Sequence, residues 1–473
     1  DWMTDGRTEI DHASIDYSRF YKHQLEEKFI EGRCYEAAQK IYFPAVHTRE
    51  PYATGRGVKR SPFYEREVEL GGYFMELGGW ERAHGYKANE HLLEKYGDKV
   101  PVRENEWDSR HFWRVSNAEH LAMSEDCGIV NLSHFYMFDV EGPDHVELME
   151  WLCAAKIGGD ANVGKGIYTH FLDDEGMVRA DLTVIRMADR CRVIDGADAG
   201  PRDFHYVKRV AEDKGFNVTV TDVSEKFVTI GIWGPNARTT LKKVVASPAA
   251  LDPENFAFAA IKPIEIAGKT VTAFRISYVG EQGWELHMKY EDGLAVWDAL
   301  RSTGVMAFGV ETYANSRRME KSLRLQNADL ITQYNLIEAD LARPKVKEAD
   351  FRGKAKHLEY KARDRQPAML CTLIMTENTD SKGVKRYPVG SLPVVDPATG
   401  EVLVDSLGRR SYTTSIAYGP TVGKNIALAY LPAEYCEVGR KLNVEYFNET
   451  YPVEVFGVGY KPIYDPENLK PRS

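Results

Sequence analysis

Several kinds of chemistry are missing from these 473 residues. No G-x-G-x-x-G follows a strand-like run, so the chain carries no dinucleotide fingerprint of its own. G-x-S-x-G and H-E-x-x-H are absent, which removes the nucleophile elbow and the helical zinc site. Six cysteines (Cys34, Cys127, Cys153, Cys191, Cys371, Cys436) are scattered without a Cys-x-x-Cys, and the 13 histidines form no ligand-spaced cluster. Neither a zinc knuckle nor a redox pair is suggested, and no metal site is expected. No apolar run reaches membrane-spanning length, and the opening Asp1-Trp2-Met3-Thr4-Asp5-Gly6 lacks a basic and then apolar leader. A net charge of -10, without any Lys/Arg block, argues against nucleic acid as a partner, since phosphate binding needs a basic face. Gly419-Pro420-Thr421-Val422-Gly423-Lys424-Asn425 imitates a phosphate loop, but it has three residues between its glycines where four are needed, and Asn425 replaces the hydroxyl that would meet Mg²⁺.

The composition is that of a water-exposed, multi-domain chain, and reduced thiols fit a cytoplasmic or mitochondrial compartment. Leu25, Phe29, Ile30, Cys34, Ala37, Ala38 and Ile41 recur near helical period, after which Arg49 to Pro62 reads as a surface connector. From Trp113 onward helices and strands mix: a helix over 117–126, a strand over 135–140, a helix over 143–157, and a hairpin of 167–171 with 177–187 across the acidic turn Asp173-Asp174-Glu175-Gly176. A helix over 202–214, strands over 217–222 and 227–233, and a helix opened by Pro235 follow. This order predicts an α+β domain. Past residue 365 the helices fade. Short strands over 368–376, 394–395, 402–404, 413–418, 426–430 and 442–446 predict an all-β barrel or sandwich. The expected division is 1–110, 111–365 and 366–473.

The most informative segment is Ser277-Tyr278-Val279-Gly280-Glu281-Gln282-Gly283-Trp284-Glu285. Residues 275–278 alternate as a strand does, Gly280 to Gly283 forces a turn, and 284–288 resumes an extended run. Such a segment is either a plain hairpin or a clasp for a flat heterocycle. A glycine-rich bend lets backbone approach a ligand, and a carboxylate on the returning strand can accept paired N–H bonds from an amino-pyrimidine edge.

Glu119-His120, Asn131-Leu132-Ser133, Arg179 to Val184, Ile232 to Ala237, Ser277 to Glu285 and Arg318-Met319-Glu320-Lys321, in that order, resemble the folate-dependent aminomethyltransferase superfamily, typified by the T-protein of the glycine cleavage system. Thr414-Ser415, Tyr418-Gly419, Val422-Gly423-Lys424 and Ile426 to Ala429 resemble its C-terminal module. Within it the chain is most similar to the second half of the dimethylglycine and sarcosine dehydrogenases and oxidases. The N-terminal pieces Asp11 to Phe20, Arg33, Arg60-Ser61-Pro62 and Gly79 to Arg82, and the closing Tyr464 to Asn468, point there. The resemblance implies a multidomain cloverleaf that binds tetrahydrofolate, an all-β C-terminal barrel, and an N-terminal remnant of a flavin domain whose FAD lies upstream of Asp1 or in a partner subunit. It implies capture of the methyl-derived carbon of an N-methyl amine, as iminium or formaldehyde, in 5,10-methylenetetrahydrofolate.

By the same resemblance Asp181 is the catalytic aspartate near the reacting nitrogens, Tyr278 and Glu285 contact the pterin, and Arg318 holds a carboxylate of the folate tail. The chain departs from the family after Lys321, where Ser322-Leu323-Arg324-Leu325-Gln326-Asn327 replaces the usual Gly-Tyr-Arg and Trp-Gly, and at the acidic Ile194-Asp195-Gly196-Ala197-Asp198. Two other functions compete with flavin-coupled capture. One is a flavin-independent tetrahydrofolate-dependent demethylase or methyltransferase. The other is a non-catalytic folate-binding assembly factor, faintly echoed by Gly32-Arg33-Cys34-Tyr35-Glu36-Ala37-Ala38-Gln39.

Overall fold

The computed structural model describes residues 15–42, 46–342 and 346–473. Residues 11–14 of the N-terminal run therefore lie outside the described residues. Helix Glu27–Tyr42 forms where the N-terminal periodicity places one, but Leu25 precedes it in a 3₁₀ turn. Most of its apolar side chains do not enter a core: Ile30 is 44% and Tyr35 69% exposed.

The expected α+β class stands. Gly72–Leu77 pairs with Trp80–Tyr86 in a two-stranded sheet, and three larger, antiparallel-dominated sheets carry the rest. The first has six strands in the order Ile261–Ile266, Lys269–Phe274, Gly283–Lys289, Phe227–Trp233, Gly128–Asn131 and Met306–Ala307. Its buried face holds Ile230, Ile232, Trp284 and Leu286, and Phe63 reaches in from the N-terminal part to stack on Trp297 at 4.6 Å. The second has five strands, ordered Lys165–Leu172, Val178–Arg186, Arg190–Asp195, Tyr136–Glu141 and Thr219–Asp222. Helix Gly200–Lys214 covers it with Tyr206, Val207 and Val210, and ends at Gly215 in the left-handed conformation that glycine allows (φ 72°). The third has six strands, Val394–Val395, Lys441–Tyr446, Glu449–Val458, Ala368–Met375, Lys424–Pro432 and Thr413–Gly419, around Leu373, Leu431, Val444 and Val453.

Three points of the expected layout need correction. Residues 402–404 make isolated bridges and no strand: Val402 pairs singly with Val395 across the preceding turn, and Val404 with Arg410 across the turn closed by Asp405. The strand Glu449–Val458 was not foreseen; Pro452 and the charges on its outer face disguise a strict alternation that buries Tyr451, Val453 and Val455. The hairpin Ile261–Ile266 and Lys269–Phe274 was also missed, although Ala267-Gly268 turns it with both φ positive, at 51° and 71°. The phosphate-loop imitation is the turn between strands Thr413–Gly419 and Lys424–Pro432, closed by Gly423 N–H donating to the Gly419 carbonyl at 2.8 Å. The scattered cysteines are all free, yet folding brings Cys371 Sγ within 3.7 Å of Cys436 Sγ.

Glu67 joins the N-terminal part to the first sheet. Its carboxyl is fully buried and accepts from Tyr86 Oη at 2.7 Å and Asn131 Nδ2 at 2.8 Å. Burial pushes it up to about 7. Below pH ~4.3, the unfolded value, both states hold the proton and this group exerts no pull on folding. As pH rises from there to about 7, only the unfolded state ionises, so stability falls, by roughly 3 kcal/mol across that window. Urea unfolding measured from pH 4.5 to 7.5 is expected to show a shallower decline in Glu67→Gln than in the parent chain.

Candidate ligand-binding site

Asp181 stands on strand Val178–Arg186, opposite His170 on strand Lys165–Leu172. Its Oδ1 lies 3.3 Å from His170 Nε2 and is otherwise buried with no hydrogen-bond donor. Its backbone N–H donates to Gln326 Oε1 at 3.2 Å, and Gln326 in turn donates to Asp203 at 3.2 Å. Thus the segment after Lys321 braces the aspartate through Gln326. Tyr168 Oη contacts His170 Nε2 at 3.1 Å. Burial, and then the Asp181 charge, raise the Tyr168 phenol far above its ordinary value.

The segment 277–285 is not the tight hairpin its pattern predicts. Strand Lys269–Phe274 ends before Arg275, and 275–282 forms a wide loop before strand Gly283–Lys289 begins. Three contacts pull this loop out of the ladder. Arg275 donates to the Phe256 carbonyl, Trp233 Nε1 donates to the Ile276 carbonyl at 2.7 Å, and Arg317 Nε donates to the Val279 carbonyl at 2.9 Å. Re-entry to the sheet needs Gly283, whose φ is 158° and where a Cβ would sit 2.0 Å from the Ile232 carbonyl oxygen.

Tyr278 therefore rides on a loop and Glu285 on a strand. The Tyr278 hydroxyl donates to the Arg324 carbonyl at 2.6 Å, and its ring lies 5.3 Å from that of Tyr313. Tyr313 stacks on Trp233 at 5.5 Å, giving three aromatic faces in series. Glu285 Oε2 lies 3.3 Å from His287 Nε2, whose Nδ1 contacts Thr229 Oγ1 at 2.8 Å. Burial raises the Tyr313 phenol, and the nearby Glu285 and Tyr278 raise it further. Tyr278 is raised in the same way, by burial first. Tyr168 thus stands beside His170, the neighbour of Asp181, and Tyr313 beside Tyr278.

Arg318 has a different set of partners from the ligand carboxylate expected of it. Its Nε donates to the Ala314 carbonyl at 2.7 Å, one terminal nitrogen to Asp329 Oδ2 at 2.8 Å, and the other to Ser415 Oγ at 2.8 Å. It works as a strut between the helical segment and the barrel. Sequence reasoning missed Tyr168, His170 and Tyr313. The pairing of His170 with Asp181 was hidden by an irregularity between Phe171 and Leu172 that shifts the hairpin register. Among the described residues no group of three or more His, Cys, Asp or Glu side chains is placed to hold a metal ion.

A family model described as the GCVT N-terminal domain matches residues 63–345, well over half of the chain. The chain belongs to the GCVT family. The glycine cleavage T-protein C-terminal barrel domain matches residues 393–465, and the FAD dependent oxidoreductase central domain matches residues 5–61. Among curated relatives, this GCVT chain is 28% identical over 463 residues to the mitochondrial dimethylglycine dehydrogenase of Rattus norvegicus, covering 96% of the chain and 50% of that protein. It is 28% identical to a formaldehyde-forming 4-methylaminobutanoate oxidase of Paenarthrobacter nicotinovorans (100% and 54% covered) and 27% identical to an aminomethyltransferase of Symbiobacterium thermophilum (82% and 93%). The chain spans about half the length of the dehydrogenase and oxidase relatives. The solved glycine cleavage aminomethyltransferase T of Bartonella henselae superposes with a TM-score of 0.65 at 22% identity over 86% of this chain and 99% of that one, which shows the shared fold.

The loop 275–282 depends on one buried ion pair, Arg317 with Glu281 at 2.9 Å, both essentially inaccessible to water. Removing one partner strands the other charge in the interior. Glu281→Ala is expected to cost about 3 to 5 kcal/mol in chemical denaturation, and Arg317→Met/Glu281→Leu together distinctly less than either single truncation.

Proposed function

We propose that the cluster around Asp181, Tyr278 and Glu285 binds tetrahydrofolate, and that the chain captures a one-carbon unit released from an N-methyl amine of the dimethylglycine or sarcosine type. The observation that carries this reading is the conjunction, in a GCVT chain, of an aromatic series from Tyr278 through Tyr313 to Trp233, a Glu285 charge that acts on Tyr313, and a buried Asp181 oxygen that has no hydrogen-bond donor. These residues fit the ligand's chemistry. A flat, amino-bearing heterocycle offers paired donors to a carboxylate such as Glu285 and a face for Tyr278 and Tyr313. Tetrahydrofolate supplies the nucleophilic nitrogens that take up the carbon, yielding 5,10-methylenetetrahydrofolate.

The residues of this chain do the rest. Asp181, braced by Gln326 and next to His170, steadies positive charge and accepts a proton at its unpaired oxygen. The buried phenols of Tyr168 and Tyr278 stay neutral at physiological pH, so they bring no competing negative charge to Asp181. The carbon donor is supported by the relatives, two of which act on N-methyl amines by their names.

A flavin domain or flavoprotein subunit would generate the one-carbon unit. Its support is the match of residues 5–61 to an FAD oxidoreductase domain and the exposed aromatics nearby, with Tyr17 84% and Tyr35 69% exposed, which a packed neighbour would cover. The similarity to a stand-alone aminomethyltransferase favours the second reading, flavin-independent transfer. Methyl or methylene transfer to tetrahydrofolate by the purified chain with no flavoprotein added would select it. Free thiols and the lack, among the described residues, of any helix long and apolar enough to cross a membrane support a cytoplasmic or mitochondrial-matrix setting.

Calorimetric titration with folinic acid is expected to show saturable binding; its absence would sink the reading. Glu285→Ala should weaken that binding by about ten-fold or more, through lost hydrogen bonds to a charged group. Asp181→Ala should leave binding within a few-fold while slowing one-carbon capture by roughly 10²-fold or more. Equal losses of affinity in both variants, with unchanged turnover per bound folate, would refute the division of roles.

A further inference from the structure

A second concave site lies away from the clasp, where the segment around Arg49, helix Arg114–Glu125, the Arg318 region and barrel strand Thr413–Gly419 meet. They enclose a cavity of about 310 Å³. Its wall is unusual in its balance of charge. Arg49, Arg103 and Arg318 all line it, against the single carboxylate of Glu311. Glu311 is committed to Arg49 and lies 3.5 Å from His84 Nδ1. Arg318 is satisfied by Asp329. Arg103 is left over. Its guanidinium sits between two rings, 3.5 Å from the centroid of Phe112 and 4.4 Å from that of Tyr387, and donates to the Asp108 backbone carbonyl at 3.0 Å. The Asp108 carboxylate is taken by Arg386 Nε at 2.6 Å and by the Tyr387 N–H at 3.1 Å.

Two orphan donors complete the picture. Arg103 Nε and Asn117 Nδ2 are both buried with no hydrogen-bond partner, and both residues line this cavity. Asn117 is only 4% exposed, so water does not satisfy it from outside. A buried polar group without a partner costs ~1 to 3 kcal/mol, and more when charged. Burial, with the like charge of Arg49, depresses Arg103 to about 9, the response of a cation that has lost water without gaining an anion. A guanidinium without an ion-pair partner, set against two rings in a wall that also carries an amide donor, suits a planar anion with two acceptor oxygens.

We propose that this cavity is a carboxylate-binding site, with Arg103 and Asn117 as its donors and Phe112 and Tyr387 fixing the plane of the guanidinium. Two sources share that chemistry. One is a free small carboxylic acid. The other is a glutamyl carboxylate at the tail of a folate held in the clasp, an assignment that rests on the function proposed above. The tail source has a structural argument: the turn Thr312–Arg317 carries Tyr313, which faces Tyr278, and also Asn315 and Ser316, which line this cavity.

The test is calorimetric titration of the full chain with three probes: glutarate, tetrahydrofolate carrying one glutamate, and tetrahydrofolate carrying five γ-linked glutamates. Arg103→Gln removes the cation; Asn117→Asp keeps the volume and sets a repelling charge in the same wall. Saturable glutarate binding that falls roughly ten-fold or more in both variants supports the site with a free acid as occupant. Tighter binding of the pentaglutamyl probe than of the monoglutamyl one, with the gap closed in both variants while monoglutamyl affinity holds, supports the site with the tail as occupant. A chain that binds no folate but binds glutarate in this Arg103-dependent way retires the folate reading and keeps the carboxylate site. Absence of glutarate binding together with no dependence on glutamyl number overturns the proposal, as does either effect persisting in both variants. Melting temperatures of the variants within about 2 °C of the parent exclude unfolding as the cause of any loss.

Discussion

The arrangement around the clasp hangs on the buried guanidinium of Arg317. From the end of the π-turn Thr312–Arg317 it donates to the Val279 carbonyl, to Ser124 Oγ at 2.6 Å on helix Arg114–Glu125, and to Glu281. Glu281 also accepts from Tyr464 Oη at 2.6 Å, and the Tyr464 ring faces the Arg317 guanidinium at 4.6 Å. One side chain therefore registers four separated parts of the chain against one another. Such a pair is a poor source of net stability, because both ions lose their water. Its value is geometric. An apolar contact would tolerate sliding, whereas five N–H donors in a fixed fork accept few alternative positions for the loop that carries Tyr278.

Around that anchor, opposite charges and neutral phenols are kept in distinct roles. Asp181 and Glu285 approach the site from different sheets, each beside a histidine, and the tyrosines between them are pushed away from ionisation by burial. The two carboxylates thus stand on strands of separate sheets. The same separation keeps the Arg318–Asp329 pair out of the clasp: its charges are neutralised locally and spent on joining the helical segment to the barrel.

Much of this was legible in the chain, and the part that was not has identifiable causes. Period-3.6 and period-2 patterns located the helix Gly200–Lys214 and the strand bearing Asp181, because each buries one face, while the strand Phe227–Trp233, buried on both, was marked by its short apolar run. The loop 275–282 could not be read that way. Its departure from the ladder is decided by Trp233, Phe256 and Arg317, which are distant in sequence, and the local glycine pattern favours a tight turn. Tyr313 escaped notice for a related reason: it belongs to a π-turn, whose extra residue per turn breaks the spacing that would have flagged a face. Arg318 shows the limit of residue-by-residue transfer. A guanidinium in the right place still has to be unoccupied, and only the fold reveals that Asp329 and Ser415 occupy it.

The two clasp residues stand on unequal footing. Glu285 is locked in a ladder between Phe274 and Gly231, so an insertion near it would throw every following side chain to the opposite face of the sheet. Tyr278 is held instead by partners distant in sequence, through the Arg324 carbonyl and the Arg317–Glu281 pair, so a change in any of them shifts it while every strand stays in register. The two ends of the site therefore fail differently: an error of sheet register moves Glu285, and a lost anchor moves Tyr278.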